Sequence, residues 1–135
     1  MNGVLIDSDI VIELLRDRNP AIRESFEKLL ASGTSVFYSP VTVAEIERGA
    51  RPNERDSIDG LFVFMTCIPV TRDVGARAGN ILRRFRASHN VALGDALIAA
   101  TAIEHDLLLW ARKQALSRSE NSVLRGVVNR ALIAT

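Results

Sequence analysis

Three acidic side chains, far apart in the sequence, stand where they could share one chemical task. Asp7 ends an apolar run, Glu45 lies in the segment 39–50, and Asp95 lies among Leu, Gly and Ala residues. An ionised carboxylate in apolar surroundings is costly unless something pairs with it. If the fold brings the three together, their repulsion calls for a divalent cation, and oxygen ligands suit Mg²⁺ or Mn²⁺. Such a site in an α/β protein indicates phosphodiester chemistry.

The elements that must position these carboxylates alternate between strands and helices. Short apolar runs typical of buried parallel strands occupy residues 3–7, 35–38, 67–70 and 107–110. Helical spacing of apolar residues fills the intervals, with Ser39 as a cap before Pro40 and Thr71 or Asp73 as a later cap. This alternation predicts a single α/β domain with a mostly parallel central sheet and helices on both faces.

The predicted sheet also suggests where the carboxylates lie. Sites in such sheets form at the carboxyl ends of the strands, and Asp7 falls directly at one such end. Glu45 follows the second strand by one helical turn and shares a helix face with Thr42 and Ile46. Asp95 opens the helix before the fourth strand. We therefore expect the three carboxylates to meet at one edge of the sheet.

Each acid also has a structural interpretation. Asp7 could cap the following helix, Glu45 could be an ordinary surface glutamate, and Asp95 could favour a helix dipole by about 0.3–1 kcal/mol. A different enzyme class also fits Asp7 and Asp9, because an Asp-x-Asp pair can form an aspartyl-phosphate in phosphatases. That reading is weak, since the chain has two lysines and Asp95 has no acidic neighbour.

Composition restricts the class of protein. The chain has 135 residues, of which 47% are hydrophobic and 24% charged, as in one globular domain. Its net charge of +1 predicts no strong nucleic-acid affinity by itself. Basic residues at 83, 84 and 86 could touch RNA phosphates, although a solvated helix face is the simpler interpretation.

A single cysteine, Cys67, excludes an intramolecular disulfide and a multi-thiolate zinc site. Its apolar neighbours predict a buried, inert thiol. We find no signal peptide and no apolar run long enough for a membrane span. These features predict a cytoplasmic protein without a membrane partner.

Three segments resemble the PIN-domain family, and within it the VapC-type toxins of bacterial toxin–antitoxin pairs. They are residues 4–16, 39–50 and 93–102, the last continuing into 107–110. The resemblance implies an endoribonuclease in which Asp7, Glu45 and Asp95 hold one or two Mg²⁺ or Mn²⁺ ions. A metal of this kind activates water and stabilises phosphate charge.

The same resemblance implies supporting residues and partners. Ser8 and Thr42 match hydroxyl positions that could hydrogen-bond carboxylates or phosphate, and Asp9 is an extra acid whose side chain could point elsewhere. Members of the family usually form homodimers and bind a cognate antitoxin protein whose C-terminal tail covers the site. The expected partners are therefore an RNA substrate, an antitoxin and a second copy of the chain.

The resemblance stops after the fourth strand. Ala111 replaces a hydroxyl residue, and Lys113 stands where the family has Asn or Asp. When residues 113–125 are back-translated with one choice of codons, shifting the reading frame by one nucleotide gives the C-terminal sequence expected of the family. We therefore divide the chain into a PIN-like core, 1–112, and an atypical tail, 113–135, with a frameshift as its hypothetical origin. An impaired domain that keeps antitoxin or RNA binding is the alternative function.

Overall fold

The computed structural model describes residues 3–85, 92–112 and 131–134. In these ranges five strands and six α-helices alternate along the chain, with a 3₁₀ turn at Pro52–Glu54. The strands are β1 (Val4–Ile6), β2 (Val36–Tyr38), β3 (Thr66–Cys67), β4 (Leu108–Arg112) and β5 (Ala131–Ala134). The helices are α1 (Ser8–Arg16), α2 (Pro20–Ala31), α3 (Pro40–Gly49), α4 (Arg55–Phe62), α5 (Arg72–Phe85) and α6 (Leu93–Glu104).

The strands form one parallel sheet in the order β3-β2-β1-β4-β5. The predicted α/β class and parallel sheet are confirmed. β1 lies at the centre, with Leu5 opposite Phe37 of β2 and Ile6 opposite Trp110 of β4. Because all strands run the same way, their carboxyl ends share one edge, and Asp7 leaves the sheet at the middle of that edge.

Helices cover both faces of the sheet, and the alternation of side chains along β1 shows how. Leu5 packs in a core formed mainly by α5 and α6. Val4 and Ile6 point the other way and pack with Trp110 and residues of α1, α2, α3 and α4. All three β1 side chains are essentially inaccessible to solvent, so a strand of three residues is held by burial on both faces.

Local capping explains where several helices begin. The Ser39 hydroxyl accepts a hydrogen bond from the Val41 backbone N–H at 3.0 Å, and Pro40 occupies the first helical position. The Thr71 hydroxyl accepts one from Val74 N–H at 3.2 Å at the start of α5. Both predicted caps are confirmed, with Thr71 rather than Asp73 in the later case.

The environment of Cys67 corrects one prediction. Its thiol is exposed rather than buried, because the short β3 lies at the outer edge of the described sheet. β3 also ends earlier than predicted, at Cys67, whereas β4 extends beyond Trp110 to Arg112. In residues 63–70 only Met65 and Ile68 are buried, whereas Val63, Phe64 and Val70 are exposed like Cys67.

The C-terminal tail is described only in part. Ala131–Ala134 pairs in parallel with β4, Leu109 lying opposite Ala131. The apolar spacing in the tail also predicts a helix through Val123, Leu124, Val127 and Val128, and these positions lie outside the described residues. Within the described ranges no helix is long and apolar enough to cross a membrane.

Gly3 should be intolerant of even a methyl group. A Cβ there would stand 2.7 Å from Phe37 Cε2 and 2.8 Å from the Ser35 carbonyl oxygen. We expect Gly3→Ala to lower the free energy of unfolding by about 1–3 kcal/mol through overpacking. Gly79→Ala is the matched control, because a Cβ at Gly79 meets nothing within 4 Å and should stabilise α5 by about 0.5–1 kcal/mol. Urea unfolding measures both, and equal signs would contradict the prediction.

Candidate active site

Asp7 stands at the N-terminus of α1 without capping it. Its backbone N–H donates to the Trp110 carbonyl oxygen at 2.9 Å, which ties the end of β1 to β4. The side chain makes no capping hydrogen bond, although Asp7 occupies the N-cap position. The structure therefore does not support a capping role for the Asp7 side chain, and its carboxylate is available for another role.

The predicted acids influence one another electrostatically. The pKa of Asp7 is raised from its ordinary 3.8 to about 7, and burial is the largest cause. The negative charges of Asp9, Asp95 and Glu45 contribute to this rise, while a hydrogen bond from the Ser8 backbone N–H opposes it. The fold thus places Asp9 beside the three acids selected from the sequence.

Asp95 takes part in the same cluster from the first turn of α6. Burial raises the pKa of its carboxyl, and so do the charges of Glu45 and Asp9. Asp95 is nevertheless among the exposed residues, so part of this acidic surface faces solvent. A ligand arriving from solution would meet this side of the cluster first.

A chain of hydroxyl groups holds Glu45. The Ser8 hydroxyl donates to Glu45 Oε1 at 2.9 Å and lies 2.9 Å from the Thr42 hydroxyl. Because the single Ser8 proton goes to the carboxylate, Thr42 must donate to Ser8. Thr42 is fully buried and Ser8 nearly so. Of the two predicted roles, contact with carboxylates or with phosphate, this geometry favours the first.

The start of α6 lies close to Glu45. A Cβ built on Gly94 would stand 3.6 Å from Glu45 Oε1 and 3.4 Å from Val41 Cγ1. These are ordinary van der Waals distances, so α3 and α6 approach each other directly beside the carboxylate. Because Gly94 has no side chain, the start of α6, which carries Asp95, lies directly against the surface of α3 that carries Glu45.

The acid cluster suits a divalent cation in its chemistry but is not assembled as a closed cage. Asp7, Asp9, Glu45 and Asp95 contribute only oxygen donors, and their mutual repulsion is the state that Mg²⁺ or Mn²⁺ relieves. In the described part of the chain, no three His, Cys, Asp or Glu side chains are already arranged to hold a metal ion.

Sequence reasoning missed a second acidic residue on α1. Glu13 is buried, and its Oε1 accepts from Arg112 Nη1 at 2.9 Å across the end of β4. Arg18 Nη2 approaches the same oxygen at 3.7 Å. Position 13 follows the fully buried Ile10 by three residues, so helical periodicity could have placed Glu13 on the inner face.

A groove beside the acids runs between α1, α3 and α4. It has a volume of about 200 Å³, and its wall includes Glu45. The remaining wall combines apolar side chains with charged ones, namely Ile12, Leu15, Ile46, Ala50 and Ile58 with Arg16, Arg48 and Glu54. An extended or helical segment with apolar and charged groups would match this lining.

Comparison with known proteins places this site in context. The PIN domain family model matches residues 4–118. Ribonuclease VapC10 from Mycobacterium tuberculosis is 39% identical over 107 residues, covering 78% of this chain and 79% of the relative. Ribonuclease VapC19 from the same organism is 33% identical over 103 residues, covering 76% and 82%.

A solved structure agrees with the fold. A chain in the crystal structure of VapBC2 from Rickettsia felis, bound to a DNA fragment from their promoter, superposes with a TM-score of 0.79. The match covers 100% of both chains at 14% sequence identity. At that identity the likeness supports the fold alone.

Proposed function

Because the chain belongs to the PIN-domain family, we propose that it is the ribonuclease toxin of a toxin–antitoxin pair. It would hydrolyse RNA phosphodiester bonds with the help of Mg²⁺ or Mn²⁺. The ribonuclease names of its relatives support the reaction class. The observation within the chain that carries the proposal is the group of carboxylates at the carboxyl edge of the sheet, whose charges add to the effect of burial in raising the pKa of Asp7.

Each residue of the cluster has a distinct role in this proposal. Asp7, Glu45 and Asp95 would hold the metal, and Asp9 would add negative charge beside them. When bound, the metal supplies an activated water and neutralises charge on the phosphate. Ser8 keeps one oxygen of Glu45 oriented, so that less reorganisation is needed when substrate arrives.

The partners follow from the same relatives. A cognate antitoxin could place a segment in the groove beside Glu45, where it would cover the acids. A homodimer and a cytoplasmic location complete the proposal. Solved structures that share the fold include a toxin–antitoxin complex from Klebsiella pneumoniae and VapBC-5, a member of a family of toxin–antitoxin systems, from Mycobacterium tuberculosis.

The proposal is tested by incubating the purified chain with a pool of structured RNAs and Mn²⁺ or Mg²⁺. We expect cleavage that EDTA abolishes and that Glu45→Gln reduces by about 10²-fold or more, because a ligand carboxylate is lost. Glu47→Gln is the matched control: it lies on the same helix, pairs with Arg55 at 2.7 Å on the surface, and should keep full activity. Cleavage that persists in EDTA or in Glu45→Gln would contradict the proposal.

A second candidate is a catalytically impaired PIN domain that retains antitoxin or RNA binding. The sequence observation in its favour is Lys113, which stands where the family has Asn or Asp and lies outside the described residues. The impaired domain should bind RNA without cleaving it and should bind Mn²⁺ weakly. Replacing Lys113 by Asp should then strengthen Mn²⁺ binding and restore cleavage.

A further inference from the structure

We infer that Glu13 is a positioning residue that keeps the Arg112 guanidinium away from the acid cluster and so leaves the carboxylates free for a cation. The inference deepens the proposed function and rests on it for the identity of that cation. Glu13 is buried and has no direct role in the proposed reaction. Its geometry nevertheless links it to the site through Arg112 and through the shared helix α1.

Arg112 stands at the same edge of the sheet as the acids. It is the last residue of β4, and β4 pairs with β1 up to the position opposite Ile6, directly before Asp7. The Arg112 side chain is 30% exposed, whereas that of Glu13 is 10% exposed. A cation at this edge therefore keeps some freedom to move, while its partner is fixed in the interior.

A second carboxylate, that of Asp9, stands one helical turn from Glu13 on the same helix. Asp9 precedes Glu13 by four residues in α1, so both side chains lie on one face about one turn, 5.4 Å, apart. Asp9 acts electrostatically on both Asp7 and Asp95. An arginine that moved from Glu13 to Asp9 would enter the acid cluster and compete with a divalent cation.

Glu13 prevents that movement because its ion pair is better shielded. A pair at 2.9 Å between largely buried groups is screened less by water than a pair with the exposed Asp9. Arg18 approaches Glu13 as well, at 3.7 Å, but it is too exposed to replace Arg112. The charge on Glu13, and not only its shape, thus determines where Arg112 lies.

The first test measures Mn²⁺ binding without RNA. Glu13→Gln keeps the shape and an acceptor oxygen but removes the charge. We expect the Mn²⁺ dissociation constant, measured by electron paramagnetic resonance, to rise about tenfold, the lower range for residues that support metal ligands. Arg112→Met added to this variant should restore the native value, and Arg112→Met alone should leave it unchanged.

A purely structural role for Glu13 predicts a different pattern. The double variant would then bind Mn²⁺ no better than Glu13→Gln, and this result would overturn the inference, as would unchanged binding by Glu13→Gln. Thermal unfolding confirms that each variant is folded. If Glu13→Gln does not fold, Glu13→Asp takes its place, because it keeps the charge but withdraws the carboxylate by one methylene, and Arg112→Met should again restore its weakened binding.

A second readout needs neither metal nor activity. In metal-free Glu13→Gln, the Nε–H resonance of Arg112 should shift from its native position, and adding Asp9→Asn should shift it again. In the native background Asp9→Asn should leave that resonance in place. An Arg112 resonance insensitive to Asp9 in both backgrounds would overturn the inference, even if the native chain cleaves RNA. If the native chain neither binds Mn²⁺ nor cleaves RNA, the proposed function is contradicted. The Arg112 resonance would still show whether Glu13 determines the position of Arg112.

Discussion

The Asp7→Asn variant should lose RNA cleavage and yet be more stable than the native chain in metal-free buffer at pH 8. Cleavage is lost because Asn removes the charge of a proposed metal ligand. Stability rises because the ionised Asp7 is buried among like charges. The rise in pKa from 3.8 to about 7 corresponds to at most about 4 kcal/mol of destabilisation. We expect a measured gain of about 2–4 kcal/mol.

The gain should depend on pH in a defined direction. The folded pKa of Asp7 lies above its unfolded value, so between pH 3.8 and about 7 the native state binds more protons. The contribution of Asp7 to stability is therefore lost as the pH rises through this window, and the penalty is complete above pH 7. The stability difference between Asp7→Asn and the native chain should be nearly constant above about pH 7 and should narrow steadily from there to pH 5.

Urea unfolding across this pH range, with EDTA present, measures the effect. The Asp7 side chain makes no capping hydrogen bond, so its replacement by Asn should leave the start of α1 unaffected. Asp56→Asn is the control, because Asp56 is an exposed acid in the first turn of α4 and should change stability little at any pH. Mn²⁺ should raise the native stability but not that of Asp7→Asn. A less stable Asp7→Asn, or a gain independent of pH, would contradict the prediction.

Removing the buried Thr42 hydroxyl should impair catalysis although Thr42 is inaccessible to RNA. Thr42→Val keeps the shape of the side chain but removes the proton donated to Ser8, which in turn orients Glu45. Groups that orient metal ligands typically contribute 10–100-fold. We expect kcat/KM of Thr42→Val to fall by about 10-fold and that of Ser8→Ala by about 100-fold.

The conservative variant distinguishes orientation from packing. Thr42→Ser loses a methyl group but keeps the hydroxyl, so its kcat/KM should stay within about threefold of the native value. Its free energy of unfolding should fall by about 1 kcal/mol for the lost methyl group. Steady-state kinetics over a range of Mn²⁺ concentrations should show the Thr42→Val defect as weaker metal binding, that is, as a higher Mn²⁺ concentration at half-maximal rate. Equal losses in Thr42→Val and Thr42→Ser would show that packing, not the hydroxyl, matters.

The order and type of the elements up to β4 could be predicted because they depend on local patterns, whereas β5 at Ala131–Ala134 was not predicted. A short apolar run ending at Asp7 predicted β1, and Ser39 followed by Pro40 predicted the start of α3. Capping and apolar periodicity act over a few residues, so both can be recognised directly in the sequence. The boundaries of the strands were predicted less accurately. β4 continues beyond the predicted end at Trp110 to Arg112, because pairing with β5 extends it.

Cys67 shows where local patterns fail. Its apolar neighbours predicted a buried thiol, but Val63, Phe64 and Val70 are exposed as well, because burial of a side chain depends on its strand's place in the sheet. β3 is the outermost described strand beside β2, so its side chains are less covered. The sequence contains no local signal for that order, because strand order is set by packing of the whole chain.

The sequence by itself therefore determined the α/β class and the three acids that stand at strand ends and helix starts. Only the tertiary structure decided that Asp9 adds to their electrostatic cluster, that Thr42 acts through Ser8, and that Glu13 pairs with Arg112. The physical reason is the separation along the sequence between the residues that interact. Helix caps and apolar periodicity operate within a few residues, whereas these contacts join residues up to 99 positions apart and depend on how the helices pack over the sheet.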